Sequence, residues 1–162
     1  VAKQSIRVVD DPTTLDPMAW NRLAAGHPFL RHEFLAALHE CGCATARTGW
    51  APQFLVLERG GILEGAMPLY LKSHSYGEYV FDWAWADAYH RHGIEYYPKL
   101  LAAVPFSPIS APKLLAGDEA AKRALAGAAL TIARQTSSLH VLFPTTDEAR
   151  ILADAGCMLR RG

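Results

Sequence analysis

The sequence predicts an α/β domain of the α+β kind, with a mixed central sheet flanked by helices. Two features carry that expectation. Gly60-Gly61 joins two apolar runs, Gln53 to Glu58 and Ile62 to Leu71, and both glycines can take positive φ. Such a pair is a hairpin signal, so those strands are antiparallel. In the last third, a long helical pattern, a short apolar run, a second helix and a closing run imply a right-handed crossover between parallel strands. A sheet that holds both kinds of pairing is mixed.

The individual elements follow from local punctuation. Ser5 to Val9 reads as a short strand. Asp16 can cap a helix whose first turn takes Pro17 and whose end is Gly26, with Trp20 and Leu23 facing inward. A second helix spans about Arg31 to Glu40, with Phe34, Leu35 and Leu38 on one face and Gly42 as its stop. Tyr79 to Trp85 alternates as a third strand after the hairpin, and Asp87 to Gly93 reads as a helical turn or loop. Within Leu100 to Leu115 a strand is broken into extended pieces by Pro105, Pro108 and Pro112. Asp118 caps a long helix to about Gln135, with Ala121, Leu125, Ala128 and Ile132 at helical spacing. Leu139 to Phe143 reads as a short buried strand. Thr145 and Glu148 have capping-box spacing for a helix ending at Gly156, and Cys157 to Arg160 reads as the closing strand.

Composition bounds the function. At 162 residues, 51% hydrophobic and 20% charged, the chain can build one domain with a sizeable core. Sixteen basic side chains balance sixteen acidic ones, so no long-range field draws in nucleic acid or an anionic membrane. No apolar run approaches the length of a membrane span, so no membrane insertion is expected. Cys41, Cys43 and Cys157 are an odd set in which two are separated by one glycine. They do not form a disulfide framework, and a reducing, cytoplasmic setting is the simpler expectation. The chain starts without methionine and stops at Gly162 directly after an expected element, which reads as a piece of a longer protein.

The element order β-α-α-β-β-β then β-α-β-α-β resembles the GNAT acyltransferase fold, a three-layer arrangement. The run Met67-Pro68-Leu69-Tyr70-Leu71-Lys72-Ser73-His74-Ser75-Tyr76-Gly77-Glu78-Tyr79-Val80-Phe81-Asp82-Trp83-Ala84-Trp85 resembles a signature of the FemAB-like family of peptidoglycan biosynthesis or recognition. So do Tyr96-Tyr97-Pro98-Lys99-Leu100 and Val104-Pro105-Phe106-Ser107-Pro108, and, less specifically, His140-Val141-Leu142-Phe143-Pro144. Members of that family are built from two GNAT-like halves. The resemblance therefore implies that residues 1–162 are a single domain, the first half of a two-domain protein of acyl- or aminoacyl-transferase ancestry. Acyl-CoA enzymes of the superfamily cradle pyrophosphate on a glycine-rich turn before the long helix. Here that turn is Lys113-Leu114-Leu115-Ala116-Gly117-Asp118-Glu119, with one glycine and two carboxylates that repel a phosphate. No CoA cofactor is expected in this half.

Candidate site residues gather between Lys72 and Tyr89. Aminoacyl transfer needs a proton acceptor for the attacking amine, and His74, Glu78 or Asp82 can supply it. Lys72 or Tyr79 can steady the oxyanion, and Trp83 and Trp85 offer a flat wall for a peptide or sugar ring. Asp87 belongs to the same stretch, and Tyr97, Lys99 and Phe106 form a second wall. The alternation of Tyr79, Phe81, Trp83 and Trp85 has another reading, one face of a strand packed in the core. Glu78, Asp82 and Asp87 beside it then need partners or water.

No metal site is expected. His39-Glu40-Cys41-Gly42-Cys43 lacks a second ligand pair, and His90-Arg91-His92 with Asp87 reads as a solvated turn. Ser107 and Ser110 lack a nucleophile elbow, which excludes a serine hydrolase of that kind. Two functions stay open: transfer to an amine acceptor, a small molecule, peptide or peptidoglycan precursor, with the donor bound together with a second half, or recognition of the same ligand without chemistry. An autonomous acyl-CoA N-acetyltransferase is a third reading, and it needs splayed strands near Val104 and Val141.

Overall fold

The computed structural model describes residues 3–161. The expectations placed on Val1, Ala2 and Gly162 lie outside the described residues. The chain opens with β1 (Gln4–Val9), α1 (Pro17–Ala24) and α2 (His32–Glu40). A broken hairpin follows: β2 (Trp50–Pro52) and β3 (Phe54–Arg59) run out, and β4 (Ile62–Met67) and β5 (Leu69–Lys72) return. Then come α3 (Trp83–Arg91), β6 (Lys99–Ala102), β7 (Leu115–Ala116), α4 (Glu119–Ala133), β8 (Leu139–Val141) and α5 (Thr146–Asp154).

These strands form two four-stranded sheets, ordered β1-β3-β4-β7 and β2-β5-β6-β8. The hairpin belongs to both. Pro52 and Pro68 have no N–H to give to a ladder, so each arm breaks beside its proline. The Gln53 N–H bridges the break by donating to the Leu69 carbonyl at 2.8 Å. Its turn is Gly60-Gly61, with φ of +61° and +81°, as a tight hairpin requires. Six pairings are antiparallel or parallel in the mixed pattern expected, β6 with β8 being the parallel one. The long helix α4 lies between those two strands in sequence.

β3 shows how the sheet separates two cores. Phe54 and Val56 pack with Trp20, Leu30 and Leu35 from the α1–α2 side. Leu55 and Leu57 pack with Leu125, Ala129 and Ile151 from α4 and α5. Alternate side chains of a strand point to opposite faces, so an unbroken apolar run is what a sheet covered on both sides demands. The result is helix, sheet, helix, an α+β domain consistent with the GNAT-like arrangement. No described helix is long and apolar enough to cross a membrane.

Four expectations are corrected. Tyr79 to Trp85 is not a strand. Tyr79 and Phe81 take φ of +61° and +51°, which breaks any extended run, and the alanine-rich Trp83–Arg91 continues as α3. Asp87 to Gly93 accordingly belongs to a full helix and its end. Cys157 to Arg160 is also not a strand; it carries no ladder pairing beside β8. Leu139 to Phe143 shortens to Leu139–Val141 and is half-buried, because β8 is the sheet's edge and Phe143 turns away at φ +50°.

Candidate functional site

β5 and β6 pair so that Lys72 lies directly opposite Lys99. Both side chains are fully buried. Like charges facing each other across a ladder destabilise it unless anions intervene. The loop from Ser73 to Asp82 supplies them. The three N–H bonds of Lys99 Nζ go to Ser75 Oγ at 2.9 Å, Glu78 Oε2 at 2.8 Å and Asp82 Oδ2 at 2.6 Å. Lys72 Nζ donates to the Tyr76 carbonyl at 3.2 Å, lies 3.7 Å from the centroid of the Trp50 ring, and sits 3.8 Å from Glu78 Oε1. Two ammonium groups and two carboxylates thus cancel in the interior.

The outer shell is aromatic and hydroxylic. The Tyr96 hydroxyl donates to Asp82 Oδ2 at 2.7 Å, and the Tyr97 hydroxyl shares a 2.7 Å hydrogen bond with Ser75 Oγ. The Tyr97-Pro98 peptide is cis. Ser137 Oγ donates to the Tyr96 carbonyl, tying the end of α4 to the same loop. Two oxygens in the cluster, Glu78 Oε1 and Asp82 Oδ1, are buried without a hydrogen-bond donor.

The electrostatics sort these groups. Burial pushes Lys72 down to about 8, against the pull of Glu78. Burial raises the Glu78 carboxyl, and the hydrogen bond and charge of Lys99 only partly offset that. For Asp82 burial also acts upward, but hydrogen bonds from Lys99, Ser75 and Tyr96 together outweigh it and hold the carboxyl below its usual range. Asp82 is therefore a fixed anion, and Glu78 is the stronger base of the pair. Tyr96 is pushed up by burial and by the neighbouring Asp82, so its hydroxyl keeps its proton.

Asp82 also forms part of the wall of an open cleft of about 1240 Å³. Tyr79, Trp85, Tyr96, His140 and Leu142 are among its other lining residues. Burial, and then the charge of Lys99, lower His140 to about 4, which leaves a neutral imidazole facing the cleft at physiological pH. The backbone is strained around this region. Tyr79, Phe81, Phe106 and Phe143 all have φ between +50° and +61°, a conformation costly for aromatic residues and concentrated at functional sites.

The expected site residues divide clearly. Lys72, Glu78, Asp82, Tyr97 and Lys99 come together in the buried cluster. Tyr79 and Trp85 reach the cleft, while Trp83 packs at a tilt against Tyr76 with ring centroids 5.2 Å apart. His74 stands apart from the ion cluster. It packs on Tyr76 with ring centroids 5.0 Å apart, and its pKa is lowered by burial and by Lys72. Phe106 packs on Trp50, 5.1 Å between centroids, and lies over Gly77. Asp87 is exposed on α3 and paired with Arg91 at 2.9 Å. The packed-strand reading of the aromatic run fails: Tyr79 is 52% exposed and Phe81 76%. Ser75, Tyr96 and His140 were not assigned site roles from sequence. The dense hydroxyl and aromatic content of Tyr96-Tyr97-Pro98-Lys99 was the available signal for the second of these.

Gly77 offers a direct check on the loop. Its φ is +81°, and a Cβ there would lie 2.6 Å from the Phe106 ring. Gly77→Ala is expected to cost about 1–3 kcal/mol in urea unfolding, from the strained φ and overpacking together. A loss under about 0.5 kcal/mol would mean that the loop moves freely over Phe106.

At the start of α4, the Asp118 side chain accepts the Ala121 N–H at 2.7 Å, and Glu119 is bound by Arg123 and Arg150. The helix terminus that would face a pyrophosphate is thus capped by the chain's own carboxylate. Among the described residues, no three His, Cys, Asp or Glu side chains converge as metal ligands. No curated protein and no solved structure matches the chain at a significant level. The family described as FemAB-like, peptidoglycan biosynthesis/recognition, matches residues 11–162. With the buried cluster and its aromatic cleft embedded in that span, the chain belongs to the FemAB-like family, which is involved in peptidoglycan biosynthesis or recognition.

Proposed function

We propose that this domain binds the amine acceptor of an acyl or aminoacyl transfer, a peptide or peptidoglycan precursor, in the cleft beside Asp82. The observation that carries the reading is Asp82 itself. One carboxylate oxygen is fixed by Lys99 and Tyr96, while the other, Oδ1, has no donor, in a residue that touches the cleft. A buried acceptor without a partner is costly, and a ligand N–H that reaches Oδ1 as the adjoining Tyr79–Phe81 wall of the cleft gives way removes that cost.

In the reaction, the acceptor nitrogen attacks the carbonyl carbon of the donor. The C–N bond forms, the bond to the carrier breaks, and the amine proton leaves with the carrier or through a neighbouring acceptor. Asp82 is too weak a base to drive deprotonation alone, so its part is to orient the amine. His140, neutral in the same cleft, supplies a second acceptor. Positioning of this kind accounts for much of an acyl-transfer acceleration. Tyr79 and Trp85 offer ring faces to the remainder of the acceptor. Lys72 and Lys99 are too enclosed to meet an oxyanion and instead hold the carboxylates in place.

A second reading, recognition without chemistry, is favoured by the self-capped terminus of α4. Both readings place the amine at Asp82, and turnover with an activated donor separates them.

Asp82→Asn is the sharpest test. Asparagine can keep an oxygen toward Lys99 and Tyr96 while turning the free Oδ1 position into an N–H donor. Calorimetric titration with a muramyl peptide bearing a free amine is expected to give roughly tenfold to a hundredfold weaker binding for the variant. Equal affinity in a variant that unfolds normally would remove the acceptor site from this cleft.

A further inference from the structure

The end of α2 carries a feature that the cleft does not use. Cys41 is the residue that closes the helix, and Cys43 follows after Gly42, whose φ of +77° turns the chain back. Both thiols are exposed, and their sulfurs lie 3.1 Å apart. That separation is about 1 Å beyond a covalent S–S bond. The backbone on either side is pinned. Cys41 N–H donates to the Ala37 carbonyl at 2.9 Å, and Ala44 N–H donates to Leu38 at 2.8 Å. Thr48 Oγ1 donates to the Cys43 carbonyl at 2.8 Å. Two thiols held in this way do not need to search for one another. The cost of bringing them together is already met by the helix end.

We propose that Cys41 and Cys43 form a redox-active dithiol that closes to an intramolecular disulfide by exchange with a low-molecular-weight disulfide such as oxidised glutathione. The Cys41 thiolate attacks one sulfur of the disulfide; an S–S bond forms to Cys41 and one glutathione thiolate departs. The Cys43 thiolate then attacks Cys41 Sγ, forming the internal bond and releasing the second glutathione. One disulfide is reduced to two thiols, the pair is oxidised by two electrons, and the two cysteine protons pass to the leaving thiolates.

The order of attack follows from the local hydrogen bonding. The two thiols share one hydrogen bond, and that contact, with backbone N–H groups, lowers the Cys41 thiol while Cys43 itself is raised. Cys41 is thus the nucleophile and Cys43 the resolving thiol. Cys157 is half-buried, and burial pushes its thiol up, so it has no comparable reactivity.

The whole chain, first reduced, is equilibrated in glutathione buffers of increasing oxidised fraction, quenched with iodoacetamide and digested with trypsin. His32 to Arg47 is a single tryptic peptide that holds both cysteines. The expected result is the joint loss of both alkylation sites and of two hydrogens from that peptide, reversed by dithiothreitol and unchanged in Cys157→Ser. Cys43→Ala is expected to stop at one glutathione on Cys41. The proposal is overturned if both thiols stay alkylated in the most oxidised buffer. It is equally overturned if the native chain accumulates the glutathione adduct, or if Cys157 is the partner found. None of these readouts depends on the cleft or on transfer activity.

Discussion

Lys99→Ala is expected to destabilise the fold by about 3–5 kcal/mol at neutral pH, the cost of leaving buried carboxylates without their cation. Lys99 spends all three N–H bonds on Ser75, Glu78 and Asp82, and its side chain is fully buried. Alanine removes the charge and the donors together. Lys72 remains, but it stands 3.8 Å from Glu78 and is itself disfavoured as a cation. The sign of the pH response follows from linkage. In the native chain, Asp82 has a depressed pKa, so it contributes stability above its unfolded value that is lost as pH falls through the folded one. Without Lys99, Asp82 is expected to join Glu78 above the unfolded value. Folded protein then binds more protons than unfolded, and the variant recovers stability as pH falls. Urea unfolding at about pH 7.5 and about pH 5.5 measures this, with the deficit expected to shrink at the lower pH. A deficit below about 1 kcal/mol, or one independent of pH, would show that the carboxylates have found other partners or water.

Glu148→Ala is the second large effect. Glu148 is fully buried and accepts three backbone N–H groups, from Lys113 at 2.7 Å, Leu114 at 2.6 Å and Thr145 at 3.1 Å. The first two lie just before β7, and the third caps α5, so one carboxylate joins elements that lie far apart in sequence. Alanine leaves three buried donors without acceptors, at about 1–3 kcal/mol for each that water does not reach, and a total near 4 kcal/mol is expected. Lys113 is harmed as well. Its ammonium is fully buried and rests on the Ala111 and Phe143 carbonyls, burial already pushes it down to about 8, and the charge of Glu148 is what opposes that. Glu148→Gln keeps the oxygen for Lys113 and Leu114 but turns an N–H toward Thr145, so it is expected to lose less than half as much. If the two variants unfolded at the same urea concentration, the carboxylate would be acting as charge alone.

The inter-element contacts explain why the site was only partly legible in advance. A capping box, a double-glycine turn and a helical apolar stripe are all written within a few residues. They placed α1, α2, the hairpin, α4 and α5 correctly. The cluster is different. Lys72 and Lys99 are distant in sequence, and only the β5–β6 register puts them face to face. His140 enters the cleft because β8 pairs with β6; the element order implies a parallel crossover, but not which strand β8 joins or in what register. The aromatic run 79–85 misled for the opposite reason. Its alternation satisfies the strand pattern, yet Glu78 just before it and Asp82 within it have a stronger claim on the buried lysines. The loop accepts positive φ at Tyr79 and Phe81 to deliver them.

What the sequence by itself determined was the inventory: α1, α2, α4 and α5 with the caps at Asp16, Asp118 and Thr145, the hairpin, an apolar content sufficient for two packed faces, the concentration of polar groups after Leu71, and the family. Tertiary structure alone decided which of those groups meet. Local conformation depends on neighbours along the chain, so it can be read from them. The neutral four-charge cluster and the unpartnered oxygen of Asp82 depend on strand register and on burial. Those are settled only when the whole sheet is covered and water has left its interior.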